Sequence, residues 1–379
     1  MAAFTVTMTP SRPSLQPPAC EWCGSTANLR RCTGCKAIYY CSQSHRQSHH
    51  AAHKSACEAV GSALAGVVKE EIPFRASFFN GRHPTIPRHH LPEARRYTAA
   101  RRWWILVLLE NFGQAGGRRH VVETALEHCL EVMREKQDDI SELGRFVPSL
   151  LLRLGRDQEA YDFIKWYVAV EHGWGWGNSR LGYLGVKNAD VLEYPAFEME
   201  NRLDTWPSLP SDLNYFMLSA LILVKIRVLN ELLDIQNAFR ALDGFVVPEI
   251  LGLVQSQLLT GALRSRPEIL RRSTDDISAL ILQSKIHIMA LFDAAEQHHP
   301  TSWRSMRGQR VANASPDPEA DALCNRSSWL ETHGALETLN HAAELREKDC
   351  GYLKYEYIRN NGHKRLVAKA VAKSALASS

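Results

Sequence analysis

Apolar residues recur at helical spacing through most of this 379-residue chain. Between residues 122 and 133 the apolar positions fall three and four residues apart, which places them on one side of a helix. This stripe consists of Val122, Leu126, Cys129, Leu130 and Met133. Similar patterns predict further helices at about 212–242, 248–260, 267–297 and 327–348. No segment alternates apolar and polar residues long enough to predict a strand, so the pattern predicts an all-α body.

A short phrase around residue 155 predicts two helices joined by a tight turn. The first helix should span about 146–154, where Pro148 fits the first turn and Gly155 follows the end. Asp157 is placed to cap the second helix. The phrase resembles one unit of a tetratricopeptide-like repeat, which implies a repeat-like helical body with a degenerate copy at 98–136. The inner face of the second helix is predicted to contain Ala160, Phe163, Ile164 and Tyr167.

The chain divides into five predicted segments. The N-terminal residues are rich in Pro, Ser and Thr and are expected to be disordered. Four prolines between residues 73 and 92 should prevent a long helix, so a linker is expected there. Glycines within 171–210 predict a loop that crosses the helical body. The segments are a tail at 1–19, a metal-binding segment at 20–57, a linker at 58–92, a helical domain at 93–350 and a basic C-terminal tail at 351–379.

Composition narrows the class of protein. Hydrophobic residues make up 45% of the chain, which is enough for a sizeable core. The net charge of +4 arises from 45 basic and 41 acidic residues, a balance too even for a dedicated nucleic-acid binder. The N-terminus lacks the apolar core of a signal peptide, and the longest apolar run, Tyr215 to Val224, is about half of the ~20 residues of a membrane span. We therefore expect an intracellular protein, cytoplasmic or nuclear, without a membrane partner.

The cysteines are concentrated in one segment. Six of the nine lie within residues 20–57, while Cys129, Cys324 and Cys350 are scattered and are predicted to be small buried residues. Such crowding indicates a metal site and a reducing compartment. Eight ligands are enough for two closed tetrahedral zinc sites, but their spacing alone allows sequential or interleaved pairing. The ligands are Cys20, Cys23, Cys32, Cys35, Cys41, His45, His53 and Cys57.

The same segment resembles the MYND finger family through its Tyr40-Cys41 step and its His-Lys-x-x-Cys ending at Cys57. His45 stands where the family usually has Cys, and imidazole is also a zinc ligand. His49 and His50 stand where members often carry an Asp-Trp pair beside a peptide groove, and we expect them to be exposed and not to bind zinc. The resemblance implies interleaved sites, one formed by Cys20, Cys23, Cys41 and His45 and the other by Cys32, Cys35, His53 and Cys57.

The N-terminal tail contains the phrase Pro13-Ser14-Leu15-Gln16-Pro17. It matches the Pro-x-Leu-x-Pro pattern of peptides that several MYND fingers bind, although patterns of five residues often arise by chance. Only two residues separate the phrase from Cys20. We therefore expect steric hindrance of docking on the chain's own finger, and binding between two chains is the form to test.

Motifs for catalysis are missing from the sequence. There is no phosphate-binding loop, no His-Glu-x-x-His and no Gly-x-Ser-x-Gly. MYND fingers also occur in SET-type lysine methyltransferases, but the chain lacks an Asn-His-x-Cys-x-Pro-Asn segment and a strand-rich half. We expect a non-enzymatic adaptor whose zinc finger and helical body each bind a protein or a proline-rich peptide. The alternative is a SET-type methyltransferase that carries the finger.

Overall fold

The computed structural model describes the finger and most of the helical body. The tail at 351–379, most of the loop at 171–210 and most of the helix expected at 248–260 lie outside the described residues. The described residues are 14–79, 91–135, 141–169, 184–193, 214–241, parts of 247–264, 266–307 and 325–347.

The finger contains a small sheet followed by helices. Strands β1 (Arg30–Arg31) and β2 (Tyr39–Tyr40) pair antiparallel. They are two residues long, too short to leave an alternating pattern in the sequence. Helix α1 (Gln43–Ser48) begins after Ser42, whose hydroxyl accepts a hydrogen bond from the His45 amide at 3.2 Å. This cap satisfies one of the free amides at the start of the helix and fixes where the helix begins.

Helix α2 (His50–Phe79) begins inside the finger and continues far beyond it. The prediction of a linker over 58–92 is therefore wrong for residues 58–79, which are helical. The helix continues through Pro73. An interior proline costs roughly 3 kcal/mol, and this cost is offset because one face of α2 is buried against α3 (Pro92–Phe112). The buried apolar residues of α2 are Val60, Ala63, Val67 and Phe74.

Helix α4 (Arg119–Glu135) carries the stripe predicted at 122–133. It packs against α3 and, through the short helix α5 (Ser141–Gly144), leads to α6 (Val147–Arg153). The stripe is confirmed as the inner face: Leu130 is half-buried, and the buried members are Val122, Leu126, Cys129 and Met133.

The predicted hairpin around residue 155 is also confirmed. Helix α6 ends just before Gly155, and α7 (Asp157–Ala169) follows. The φ of Gly155 is 72°, a left-handed conformation that glycine adopts without a steric penalty. Its amide and that of the next residue close the last turn of α6 by bonding to the carbonyls of Leu152 and Leu151. The four residues predicted on the inner face of α7 are all buried: Ala160, Phe163, Ile164 and Tyr167.

Asp157 is not the helix cap that we expected. It lies within the first turn of α7, and its buried carboxylate accepts a hydrogen bond from Arg227 at 2.7 Å. Burial raises the pKa of Asp157, and the Arg227 charge counteracts that rise. The sequence pattern could not show this contact because Arg227 is 70 residues away in the chain.

Two long helices form the centre of the body. Helix α8 (Tyr215–Ala241) lies within its predicted bounds. The short helix α9 (Gly261–Arg264) and the long helix α10 (Thr274–His298) come later in the chain, and α8 and α10 pack along each other. By length and composition alone α10 could cross a membrane, and more than half of its most apolar stretch is buried inside the body. The core helix of a soluble protein passes the same test. Among the described residues α10, not the run at Tyr215–Val224, meets this criterion.

The helix predicted at 267–297 is interrupted near its start. Residues Pro267–Arg271 form a 3₁₀ turn, and α10 begins only after Ser273. Ser273 and Asp276 make a reciprocal capping box, in which each side chain accepts a hydrogen bond from the other residue's backbone amide. The capping box fixes the start of α10 and so separates it from the preceding turn.

The helix predicted at 327–348 is also divided. After α11 (Pro300–Met306), which the sequence pattern did not predict, the structure has α12 (Ser327–Leu330) and α13 (Ala335–Glu347). Gly334, which has a φ of 65°, lies between α12 and α13 and interrupts the helix there.

A buried lysine fixes the described part of the loop that was predicted at 171–210. Lys225 of α8 donates to the carbonyls of Val191 and Glu193 at 2.6 and 2.7 Å. Burial lowers the pKa of Lys225 to about 7, and the two carbonyls replace the water that the amine has lost. Residues 184–193 therefore cross the helical body, as the sequence predicted.

Candidate metal centre

The first cluster joins the start of the finger to α1. It contains Cys20, Cys23, Cys41 and His45, whose ligand atoms all lie within 4.8 Å of one another. The Sγ atoms of Cys23 and Cys41 are 3.6 Å apart, and Cys20 Sγ is 3.8 Å from His45 Nδ1. Tetrahedral zinc with Zn–S bonds of about 2.3 Å requires S···S separations of about 3.8 Å. The cluster thus has the dimensions of a Cys3His zinc site.

The second cluster joins the turn before β2 to α2. It contains Cys32, Cys35, His53 and Cys57, again within 4.8 Å of one another. Cys32 Sγ is 3.7 Å from Cys57 Sγ, and Cys35 Sγ is 3.6 Å from His53 Nε2. His53 and Cys57 are four residues apart on α2, so their side chains leave the helix on one side. This cluster is more deeply buried than the first.

The two Cys-x2-Cys turns have the same local form. In each turn the amide after the second cysteine bonds back to the carbonyl of the first: Gly24 to Cys20 at 2.9 Å, and Lys36 to Cys32 at 3.1 Å. Gly24 and Lys36 both have positive φ, at 72° and 60°. The turns therefore aim both thiols of a pair at one point. Gly34 is required in the second turn because a Cβ there would lie 2.7 Å from the Sγ of Cys57.

The clusters are interleaved in sequence. The first and third ligand pairs meet in one site and the second and fourth in the other, as the family resemblance implied. Sequential pairing, which spacing alone allowed, is not formed. Interleaving makes each ion connect distant parts of a segment that is too short to build a core of its own. Two Cys3His sites of this kind are consistent with two zinc ions.

The thiols are electrostatically suited to a cation. Burial raises the pKa of Cys20, but amide hydrogen bonds from Cys41, Cys23 and Trp22 outweigh it, and the pKa falls to about 6. At Cys35, burial raises the pKa to about 12, and the neighbouring thiols add to that rise. Three thiolates in one site therefore repel one another unless a cation lies between them. A divalent ion removes this repulsion, because zinc binds the thiolate form.

His49 and His50 lie outside both clusters, and their surroundings differ. His50 is exposed, as expected. His49 is half-buried, which corrects the expectation: its Nδ1 contacts the hydroxyl of Tyr40 at 2.9 Å, and its ring stacks on that of His53. The ring centroid of Trp22 lies 6.4 Å away. His49 therefore connects an exposed tryptophan to the buried second cluster.

The end of the N-terminal tail docks on the helical body. The Gln16 amide donates to the Gly117 carbonyl at 2.8 Å, and the Gln16 carbonyl accepts from the Arg119 amide at 2.9 Å. Leu15 packs against the core. The expectation of disorder over 1–19 is therefore wrong for residues 14–19. Of the Pro-x-Leu-x-Pro phrase, the described residues 14–17 run beside the turn before α4 through Gln16, and the central Leu15 is already packed against the core.

Two side-chain contacts also fasten the finger to the body. Arg118 donates to the carboxylate of Glu21 at 2.7 Å, and both side chains are largely buried. His120 Nε2 donates to the carbonyl of Ala37, which lies between the second zinc-binding turn and β2. Each of these contacts depends on a single residue, Arg118 or His120. A single residue leaves no pattern in the sequence from which such a contact could be predicted. Together with the continuous α2, they show that finger and body are packed as neighbours and not separated by a flexible linker.

Among the described residues, Cys129 is the remaining cysteine, and it lies outside both clusters. Cys129 is fully buried on α4, as predicted for a small apolar residue. Cys324 and Cys350 lie outside the described residues. Each residue predicted as a ligand is thus found in one of the two clusters.

Replacing His45 tests the unusual ligand directly. We expect His45→Cys to keep two zinc ions per chain, because thiolate and imidazole both suit a tetrahedral site. We expect His45→Ala to lose the ion of the first cluster, with His49→Ala as a control that keeps both. Native mass spectrometry of the full chain measures the stoichiometry. Two ions with unchanged affinity in His45→Ala would show that another residue completes the site.

Comparison with known proteins agrees with this geometry. The family model of the MYND finger matches residues 20–57, the segment that contains both clusters. Searches of curated proteins and of solved structures returned no match to the chain. Because the matched segment holds eight ligands in two interleaved Cys3His clusters, residues 20–57 are a MYND finger, a zinc-binding domain that mediates protein interactions.

Proposed function

We propose that this protein is a non-enzymatic adaptor that uses two surfaces, one on the zinc finger and one on the helical body. The observation that carries this proposal is a pair of exposed tryptophans on neighbouring, packed parts of the chain. Trp22 on the finger is 53% exposed, and Trp103 on α3 is 59% exposed. Tryptophan is enriched at protein interfaces and is costly to leave in water.

The surface on the body is an apolar groove between α2 and α3. It has a volume of about 340 Å³ and is lined by small residues of α2, including Ala63 and Gly66, and by Trp103 and Val107 of α3. Small residues on one wall and a large ring on the other leave space for an apolar side chain of a partner. The groove lies on the helix that also carries two zinc ligands, so the finger and the groove hold a fixed relation.

The cellular context that we propose is a reducing one. All seven cysteines in the described residues are free thiols, and six of them form the zinc clusters. Oxidation would join these thiols as disulfides and release the metal. The partner that we propose is a protein or a proline-rich peptide, because the described residues outside the finger are mostly helical and the charge of the whole chain is nearly balanced.

Quantitative co-purification tests the adaptor. Full-length, zinc-loaded chain serves as bait beside the variants Trp22→Ala and Trp103→Ala, with Lys69→Ala as an exposed control on α2. We expect the first variant to lose one set of partners by about tenfold and the second to lose another set, since a buried aromatic anchor contributes 1.4 kcal/mol or more, about tenfold in affinity.

Two outcomes would contradict the proposal. One is a partner set that neither tryptophan affects. The other is micromolar binding of S-adenosylmethionine to the same preparation in titration calorimetry, which would favour the methyltransferase.

A further inference from the structure

The finger carries an excess of positive charge. Five of its residues are Lys or Arg, and one is acidic. The rest of the chain is therefore formally neutral, since the whole chain carries +4. Zinc in a Cys3His site leaves one net negative charge, because three thiolates outweigh a divalent ion, and two such sites still leave the finger positive. The charged residues are Arg30, Arg31, Lys36, Arg46, Lys54 and Glu21.

The single acidic group of the finger is already neutralised. Glu21 accepts a hydrogen bond from Arg118 of the body at 2.7 Å, in a contact largely buried between finger and body. Lys36 is exposed and Arg46 is half-buried, and no carboxylate of the described residues forms an ion pair with either. The outer side of the finger thus presents cations without acidic partners, so an incoming carboxylate would not have to displace an existing ion pair.

The cations lie beside the exposed tryptophan. Arg46 of α1 donates to the hydroxyl of Thr33 at 2.8 Å, which holds its guanidinium over the second Cys-x2-Cys turn, the turn that also bears Lys36. Three residues after Arg46, at the end of the same helix, His49 lies next to the ring of Trp22. We call the surface formed by Trp22, Lys36, Arg46 and His49 the basic aromatic face.

We propose that the basic aromatic face binds an acidic peptide segment that also places a proline or aliphatic side chain on Trp22. This inference rests on the proposed adaptor function and specifies the chemistry of the partner. Charge complementarity favours Glu or Asp in that partner. The exposed ring favours an apolar neighbour to those acids, since aromatic rings contribute most when they are covered. A nucleic acid is disfavoured because the charge of the whole chain is nearly balanced, with 45 basic against 41 acidic residues.

Fluorescence anisotropy with the full-length, zinc-loaded chain tests this proposal. The probes are a labelled peptide of three Glu-Glu-Pro-Leu repeats and a matched peptide of three Gln-Gln-Pro-Leu repeats. We expect the Glu peptide to bind about tenfold more tightly, because two or three surface ion pairs each contribute roughly two- to threefold in affinity. Its binding should weaken as salt is raised, since exposed charges are screened.

Variants locate the contact on the face. Replacing Lys36 and Arg46 together by Glu should remove the preference for the Glu peptide, and Trp22→Ala should weaken binding of both peptides. Lys69→Glu, the same charge change on an exposed lysine of α2, should leave the preference intact. Native mass spectrometry must show two zinc ions in each variant, which separates loss of the face from loss of the finger.

Three outcomes would overturn the proposal. The first is equal binding of the Glu and Gln peptides by the unmodified chain, a result that can be interpreted without any variant. The second is a preference that survives in the Lys36→Glu/Arg46→Glu chain. The third is tighter binding of a single-stranded uridine dodecamer than of the Glu peptide, which would indicate a nucleic acid as the partner. If partners that depend on Trp22 are still captured in any of these cases, the adaptor stands and only the acidic chemistry fails.

Discussion

Replacing Cys57 by Ala is expected to remove at least one zinc ion and to destabilise the helical body as well as the finger. Cys57 is a ligand of the second cluster and lies on α2, which continues to Phe79 and is buried against α3. Metal binding supplies most of the folding free energy of such a small segment, roughly 10–16 kcal/mol for structural zinc. Loss of the metal should therefore unfold the finger.

The body should respond because the finger is attached to it by buried contacts. The Arg118–Glu21 pair and the hydrogen bond from His120 to Ala37 would both be lost, at a cost of about 2 kcal/mol together. For a domain of this size such a loss lowers the thermal midpoint by roughly 4–8 °C. Circular dichroism at the helical wavelengths measures the midpoint, and elemental analysis measures zinc.

Cys129→Ala is the matched control for the cysteine replacement. It makes the same side-chain change on α4, where the thiol is fully buried and binds no metal, so two zinc ions should remain. A Cys57→Ala chain that loses zinc but keeps the midpoint of the body would contradict the structure. It would mean that finger and body are energetically independent, as a flexible linker would have made them.

The ligands of the metal centre could be predicted because zinc imposes its own spacing. Two Cys-x2-Cys turns and two helical i,i+4 pairs leave a pattern that depends on local chain geometry alone. The interleaved pairing could not be derived in that way, since it depends on how the turns are arranged in space. The family resemblance supplied it, and the clusters agree.

Sequence periodicity predicted helices well where burial and local chemistry act together. The stripe at 122–133 and the turn at Gly155 were both found because a buried face and a turn residue occur close in the chain. The path of α2 through Pro73 was missed, because tertiary packing against α3 outweighs the local preference of one proline. Docking of Gln16 beside Gly117 was missed for the same reason: it joins segments 101 residues apart.

The body is also held by a buried ion pair that no local pattern indicates. Arg153, at the end of α6, donates to both carboxylate oxygens of Glu331 at 3.0 and 2.8 Å. Its remaining hydrogens reach the carbonyls of Gly113 and Gln114, and Glu331 accepts from the amide of Gly116. One guanidinium thus connects α6, the turn before α4 and the chain after α12. The same turn holds the docked tail and Arg118.

Arg153→Ala should therefore lower the free energy of unfolding by about 3–5 kcal/mol, because it leaves the Glu331 carboxylate buried without its partner. The Arg153 side chain is fully buried and that of Glu331 is 6% exposed, so water cannot replace the lost bonds. Arg156→Ala is the control: Arg156 pairs with Glu159 at the surface, and its loss should cost less than about 1 kcal/mol. Urea unfolding of the full chain measures both. The expected difference between the two losses of unfolding free energy is about a third of the stability of a typical domain. Equal losses in the two variants would show that the buried pair does not hold these segments together.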